Sequence, residues 1–294
     1  MFEGFEEFNI QTQGAVIHGV KKGHGQPLLL LHGYPQTHVI WHKIAQQLAE
    51  EFTVVATDLR GYGDSSKPDG GSNHEQYSKR VMAKDQLDVM NQFGFEKFLV
   101  AGHDRGGRVA HRMALDYADE VKKVAVLDIA PTHLMYTTTD MEFARAYYHW
   151  FFLIQPFDIP ERLIGSDVEF WVRSKLAQWG RDQQAITPQA FDEYLRCYRD
   201  PAAIHASCED YRASAGIDLL HDEEDLRQKI TSPLLVLWGE KGFVGKKYNV
   251  IQTWQERAIH VQGYALPCGH YLAEEAPEMT LQALRNFFLN HDAV

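Results

Sequence analysis

Phe98-Leu-Val-Ala-Gly102-His-Asp104-Arg-Gly106-Gly107 runs into an amphipathic stretch from Arg108 to Tyr117. It reads as strand, sharp turn and helix, with glycine two residues before and two residues after Asp104. A turn this tight admits only small neighbours and lifts its central side chain above a sheet, which is the arrangement of a nucleophile elbow. The residue at the tip is Asp where Ser is more familiar. A carboxylate attacks saturated carbon and leaves an ester, which a second step must hydrolyse. Other readings are an ordinary turn Asp or an Asp capping the following helix. A phosphate loop fits poorly, because the G-x-G-x-x-G spacing is not met and Asp104 would repel phosphate.

Outward from this turn, short apolar runs alternate with longer amphipathic stretches. The runs cover residues 28–31, 53–57, 98–101, 124–129, 234–238 and 261–266. Most are bounded by Gly, Asp or Pro, as expected of buried parallel strands joined by helices. Residues 6–11 and 15–20 flank Thr12, Gln13 and Gly14 and suggest a leading hairpin. The expectation is an α/β fold with a mostly parallel eight-stranded sheet. The strand rhythm stops after Pro131 and returns at Ser232, and fifteen Phe, Tyr and Trp residues lie between His133 and Gln228. The expected organisation is a core of residues 1–132 and 229–294 with a helical cap, residues 133–228, inserted after the sixth strand. Open α/β sheets bind ligands beyond the carboxyl ends of their strands, which favours a cap over a pocket. A helical layer that serves stability alone is the alternative.

The 294 residues carry a formal charge of −11, which argues against general binding to nucleic acid or an anionic membrane. Any anion must instead meet a local cluster of cations. Cys197, Cys208 and Cys268 are too few for a disulfide framework, so a reducing cytoplasm is the simpler expectation. Met1 to Gln11 does not read as a signal peptide, and no apolar run is long enough to span a membrane.

An ester on Asp104 needs a water and a base. His270 follows the last expected strand, in Leu266-Pro-Cys-Gly269-His270-Tyr-Leu. A third group must orient its imidazole. Asp128 at the end of the run 124–129 is preferred, and Glu240 after the next strand is the other candidate; the alternative reading of Asp128 is a cap for the next helix. Arg105 and Arg108, three apart, share a helix face and suggest a clamp for a substrate carboxylate that also keeps Asp104 ionised. The alternative is pairing of these arginines with surface acids such as Asp119 or Glu120. His32-Gly33-Tyr34-Pro35 is placed to supply an oxyanion-hole N–H at Tyr34, with the Arg105 N–H as partner. A plain strand-to-helix turn is the alternative. His32, His38 and His42 raise a metal, but H-E-x-x-H is absent, since Val39 stands where Glu would be. Neither metal nor organic cofactor is expected.

His32-Gly-Tyr-Pro35, Asp58-Leu-Arg-Gly-Tyr-Gly-Asp-Ser65, the Asp104 turn and Gly269-His270 resemble the α/β-hydrolases that include epoxide hydrolases and haloalkane dehalogenases. Gly102-His-Asp-Arg-Gly-Gly-Arg108, Leu127-Asp128-Ile, Tyr148-His149-Trp150 and Cys208-Glu-Asp-Tyr211-Arg-Ala most closely resemble the fluoroacetate dehalogenases, over nearly the whole chain. The resemblance implies Asp104 as nucleophile, His270 as base, Asp128 as its acid, and Arg105 and Arg108 as carboxylate ligands. It further implies His149, Trp150 and Tyr211 as donors to the leaving halide, and a homodimer. Without it, Trp150 and Tyr211 read as cap-core aromatics. Arg105 stands where haloalkane dehalogenases place Trp, which disfavours a neutral haloalkane. His149 replaces the first of the two cap tyrosines of epoxide hydrolases, and Tyr211 fits the second. The implied reaction is hydrolysis of haloacetates, fluoroacetate to glycolate, with epoxide opening, another small 2-haloacid, or an inactive small-ligand receptor as alternatives.

Overall fold

In the computed structural model, which describes residues 1–182 and 184–290, the apolar runs form one eight-stranded sheet. Its strands are β1 (Glu6–Gln11), β2 (Val16–Gly23), β3 (Gln26–Leu31), β4 (Phe52–Thr57), β5 (Phe98–His103), β6 (Val121–Leu127), β7 (Leu234–Gly239) and β8 (Val261–Leu266). Their spatial order is β1-β2-β4-β3-β5-β6-β7-β8. β1 pairs antiparallel with β2, and β2 antiparallel with β4. Every later pairing is parallel.

Side chains alternate across a strand, so one buried strand serves two cores. Leu29, Leu31 and Val100 face one apolar cluster, while Leu28, Leu30, Leu99 and Ala101 face the other. This double burial explains why β3 and β5 read as continuous apolar runs and not as alternating ones. β6 differs from the run 124–129. It begins earlier and ends at Leu127, because Asp128 takes a left-handed φ of 52° and leaves the sheet. No helix among the described residues is long and apolar enough to cross a membrane.

Between β6 and β7 the chain is helical from Thr132–Thr137 to Ile217–Glu224. These helices carry Trp150 and Tyr211 to the carboxyl end of β5, where both rings meet arginines of the helix that follows.

That helix, Arg105–Asp116, starts at the turn itself, with Asp104 at φ 46°. A Cβ on Gly102 would lie 2.2 Å from the Gly106 carbonyl oxygen, and one on Gly106 would lie 2.4 Å from that of His32. Both positions therefore require glycine, and Gly106 brings the helix start against the loop after β3. Its N–H donates to the His32 carbonyl at 2.8 Å. Gly106→Ala is expected to destabilise the fold by about 1–3 kcal/mol or more through overpacking. Denaturant unfolding checks this, and a variant as stable as the parent would contradict the crowding.

Candidate active site

Asp104 is buried, and Oδ2 of its carboxylate accepts the Tyr34 N–H at 3.1 Å. The Arg105 N–H, first in its helix, has no intrahelical acceptor and flanks the same turn. The Asp104 side chain makes no capping bond to its own helix, which removes the helix-cap reading. Burial alone would raise the Asp104 pKa. The surrounding charges, with His270 the largest and Arg108 and Arg105 among them, outweigh it and hold the carboxyl below its ordinary value. The arginines thus share a stabilising role in which the sequence had suggested them alone.

His270 lies after β8, and its Nδ1 is 2.6 Å from Asp128 Oδ2. Asp128 Oδ1 accepts the Gly239 N–H at 2.9 Å, so this carboxylate serves β7 and His270 and not a helix end. Glu240, the other candidate, is exposed. An acceptor at Nδ1 fixes the tautomer that leaves Nε2 free to take a proton. Burial pushes the imidazole pKa down, but the hydrogen bond and charge of Asp128 prevail, and the pKa is raised above its ordinary 6.5.

The two arginines diverge. Arg105 is fully buried and points to the cap, where Nε donates to Asp210 Oδ2 at 2.8 Å and Nη2 to Asp210 Oδ1 at 2.6 Å. Its Nη1 has no hydrogen-bond partner among the described residues. Arg108 Nη1 donates to the Ala130 carbonyl at 3.1 Å and to Thr132 Oγ1 at 2.8 Å, while Nη2 approaches Met135 Sδ. Arg108 has no carboxylate within salt-bridge distance among the described residues, and its Nε is likewise unpartnered. Burial and the neighbouring Arg105 lower the Arg108 pKa, as expected of a cation short of counter-charge. Neither arginine pairs with Asp119 or Glu120.

Both guanidiniums lie over aromatic faces. Arg105 is 4.2 Å from the Tyr211 ring centroid, and Arg108 is 4.8 Å from that of Trp150. Trp150 and His149 share the helix Tyr148–Leu153, and Tyr211 belongs to Pro201–Ala215. His149 and Tyr211 ring centroids are 5.5 Å apart, and those of Trp150 and Tyr211 6.3 Å. Burial drives the His149 pKa far down, so its ring is neutral, with Nδ1 unpartnered among the described residues.

The chain matches the family profile described as alpha/beta hydrolase fold over residues 26–277. The chain belongs to the α/β-hydrolase family. This α/β-hydrolase is 45% identical to a fluoroacetate dehalogenase of Burkholderia sp, over 98% of this chain and 95% of that one. It is 34% identical to a soluble epoxide hydrolase of Corynebacterium sp. (strain C12), over 94% of each. A solved structure of an alpha/beta hydrolase from Nostoc sp PCC 7120 superposes with a TM-score of 0.98 at 64% identity, covering 99% of this chain and 100% of that one.

The three histidines near the first loop are each engaged locally. The His32 ring bonds the Gly33 carbonyl and accepts the Leu59 N–H, His38 pairs with Asp58 at 2.9 Å, and His42 reaches the Val39 carbonyl. His18, His38 and Asp58 do bring potential ligand atoms within 4.8 Å of one another. Yet Asp58 Oδ1 already accepts the His38 N–H and ring, and Oδ2 accepts the Asp64 N–H. Asp58 therefore reads as the anchor of its loop.

The sequence did not single out several residues of the site. His103 Nε2 is 2.7 Å from the His270 carbonyl and fixes the His270 backbone; burial lowers the His103 pKa to about 3, so its ring is neutral. Trp179, whose carbonyl accepts the His270 N–H at 3.1 Å, packs between His149 and His270. With Tyr147 and Phe243 it lines a cavity of about 240 Å³ beside Asp128 and His270. Larger hollows of about 390 and 480 Å³ hold none of these residues. Asp210 follows Glu209 in the quoted Cys208-to-Ala213 motif, but nothing local links it to Arg105. An NMR titration of the His270 imidazole should give a pKa above 6.5, and Asp128→Asn should lower it. An Asp128→Asn value equal to the parent's would show that another group sets it.

Proposed function

We propose that this hydrolase cleaves the carbon–halogen bond of haloacetates, converting fluoroacetate to glycolate and fluoride. The observation that carries the reading is Arg108, a buried guanidinium without a carboxylate partner among the described residues, beside the buried Asp104 carboxylate. A buried cation is costly unless an anion joins it, and a small carboxylic acid supplies one. The 45% identity to a fluoroacetate dehalogenase supports the same reading.

The substrate carboxylate meets Arg105 Nη1 and Arg108. Asp104 Oδ2 is held by the Tyr34 N–H, so Oδ1 attacks the α-carbon, an Asp104 ester forms and the halide departs. His149, Trp150 and Tyr211 donate hydrogen bonds to the leaving halide. Fluoride gains most, because it is small, hard and a poor leaving group. His270 then takes a proton from water, the hydroxide adds to the ester carbonyl, and the N–H groups of Tyr34 and Arg105 stabilise the oxyanion. Collapse returns Asp104 as carboxylate and releases glycolate, with one proton passed to solvent. No step calls on a metal or an organic cofactor.

The competing reading is epoxide hydrolysis, favoured by the 34% identity to an epoxide hydrolase and by Tyr211 as a proton donor to an epoxide oxygen. Fluoride release from fluoroacetate, measured beside diol formation from styrene oxide, decides between them. Diol formation with no halide released from fluoroacetate or chloroacetate would overturn the dehalogenase reading.

Two further outcomes are expected. His270→Asn should stop at the ester, and intact-protein mass spectrometry after fluoroacetate exposure should show a carboxymethyl group on Asp104. An unmodified mass with normal turnover would remove His270 from the mechanism. Trp150→Phe should slow defluorination by about 10²-fold, in line with loss of one transition-state donor, and dechlorination much less. Equal losses on both halides would assign Trp150 to packing.

A further inference from the structure

The structure assigns Asp210 as the positioning residue that sets which N–H of Arg105 faces the substrate carboxylate, an inference that rests on the haloacetate reading. Asp210 is fully buried on the cap helix Pro201–Ala215, directly before Tyr211. Its carboxylate takes both Nε and Nη2 of Arg105, and its carbonyl takes Nη2 again at 3.0 Å. Ser214 Oγ also accepts from Nη2 and stands 3.2 Å from Asp218 Oδ2. One edge of the planar guanidinium is thereby consumed, and Nη1 alone is left without a partner among the described residues.

The carboxylate is itself held in place. Tyr62 donates its hydroxyl to Asp210 Oδ2 at 2.6 Å, and Lys79, at the start of its helix, pairs with Asp210 Oδ1 and lies 3.5 Å from Asp218. Lys79 and Arg105 come from the core and Asp210 from the cap. A planar fork bound along one edge cannot rotate without breaking two charge-assisted bonds. Asp210 touches no reacting atom in this scheme and acts through Arg105.

Asp210→Asn keeps the shape but offers an N–H₂ where Arg105 and Lys79 need an acceptor, so the fork is released. The expected result is a KM for chloroacetate at least tenfold higher with kcat within threefold, the pattern of a lost substrate-binding contact. Ser214→Ala, a milder change, should raise KM two- to fivefold and covers the case in which Asp210→Asn does not fold. Calorimetric titration with glycolate should show at least tenfold weaker binding to Asp210→Asn than to the parent. This last measurement needs no turnover, so it separates the two claims. Parent protein that binds glycolate but releases no halide defeats the dehalogenase reading and leaves the Asp210 assignment to the titration. A parent that binds no glycolate, unchanged glycolate affinity in Asp210→Asn (in Ser214→Ala, if Asp210→Asn does not fold), or a lower kcat at unchanged KM overturns the assignment.

Discussion

The turn at Asp104 constrains everything around it. With φ at 46°, the backbone of a non-glycine residue sits in the left-handed region, and it stays there because the surrounding structure leaves no other path. Gly102 and Gly106 let strand, turn and helix approach without side chains between them. The close approach brings the loop after β3 near enough for Tyr34 to donate to the Asp104 carboxylate. It also starts a helix whose first turn carries both arginines. One crowded bend thus sets the Asp104 carboxylate, its backbone donor at Tyr34 and its neighbouring cations.

Electrostatics organises the second layer. Asp104 and Asp210 are buried carboxylates, Arg105, Arg108 and Lys79 are buried cations, and Asp218 closes the set. Arg105 and Lys79 hold Asp210 well below the ordinary carboxylate range against the burial that would raise it. Asp210 in turn holds Arg105 firmly charged. Arg108 is the member left without an acid of its own among the described residues. In the proposed reaction the incoming carboxylate supplies that charge as the Asp104 charge is consumed in the ester, so the net charge facing the arginines is unchanged once halide departs.

Much of the fold was legible because its signals are local. Apolar runs of strand length and a glycine-flanked turn depend on neighbours a few residues away, and Phe98 to Gly107 identify the strand and helix with little error. The end of β6 was not legible, since the left-handed turn at Asp128 follows from the bonds its carboxylate makes to Gly239 and His270, more than a hundred residues further on. The same holds for Arg105. Sequence spacing places it beside Arg108 on one helix, and only the folded chain brings Asp210 across to it. Trp179 and Tyr147 were hidden for another reason: in a segment rich in aromatic residues, composition does not tell the rings that line a cavity from those that fill a core.

Asp104, Asp128 and His270 all belong to the sheet and its loops, whereas His149, Trp150 and Tyr211 arrive on one continuous insertion. Under the proposed reaction, such a division invites grafting a different lid onto the same base to obtain a new leaving-group preference. The Arg105–Asp210 bond makes that exchange conditional. A transplanted lid without an acid at the matching place would strand Arg105 in a dry interior and take from Lys79 one of its two acids, so lid and base must be inherited together at that contact or redesigned as a pair.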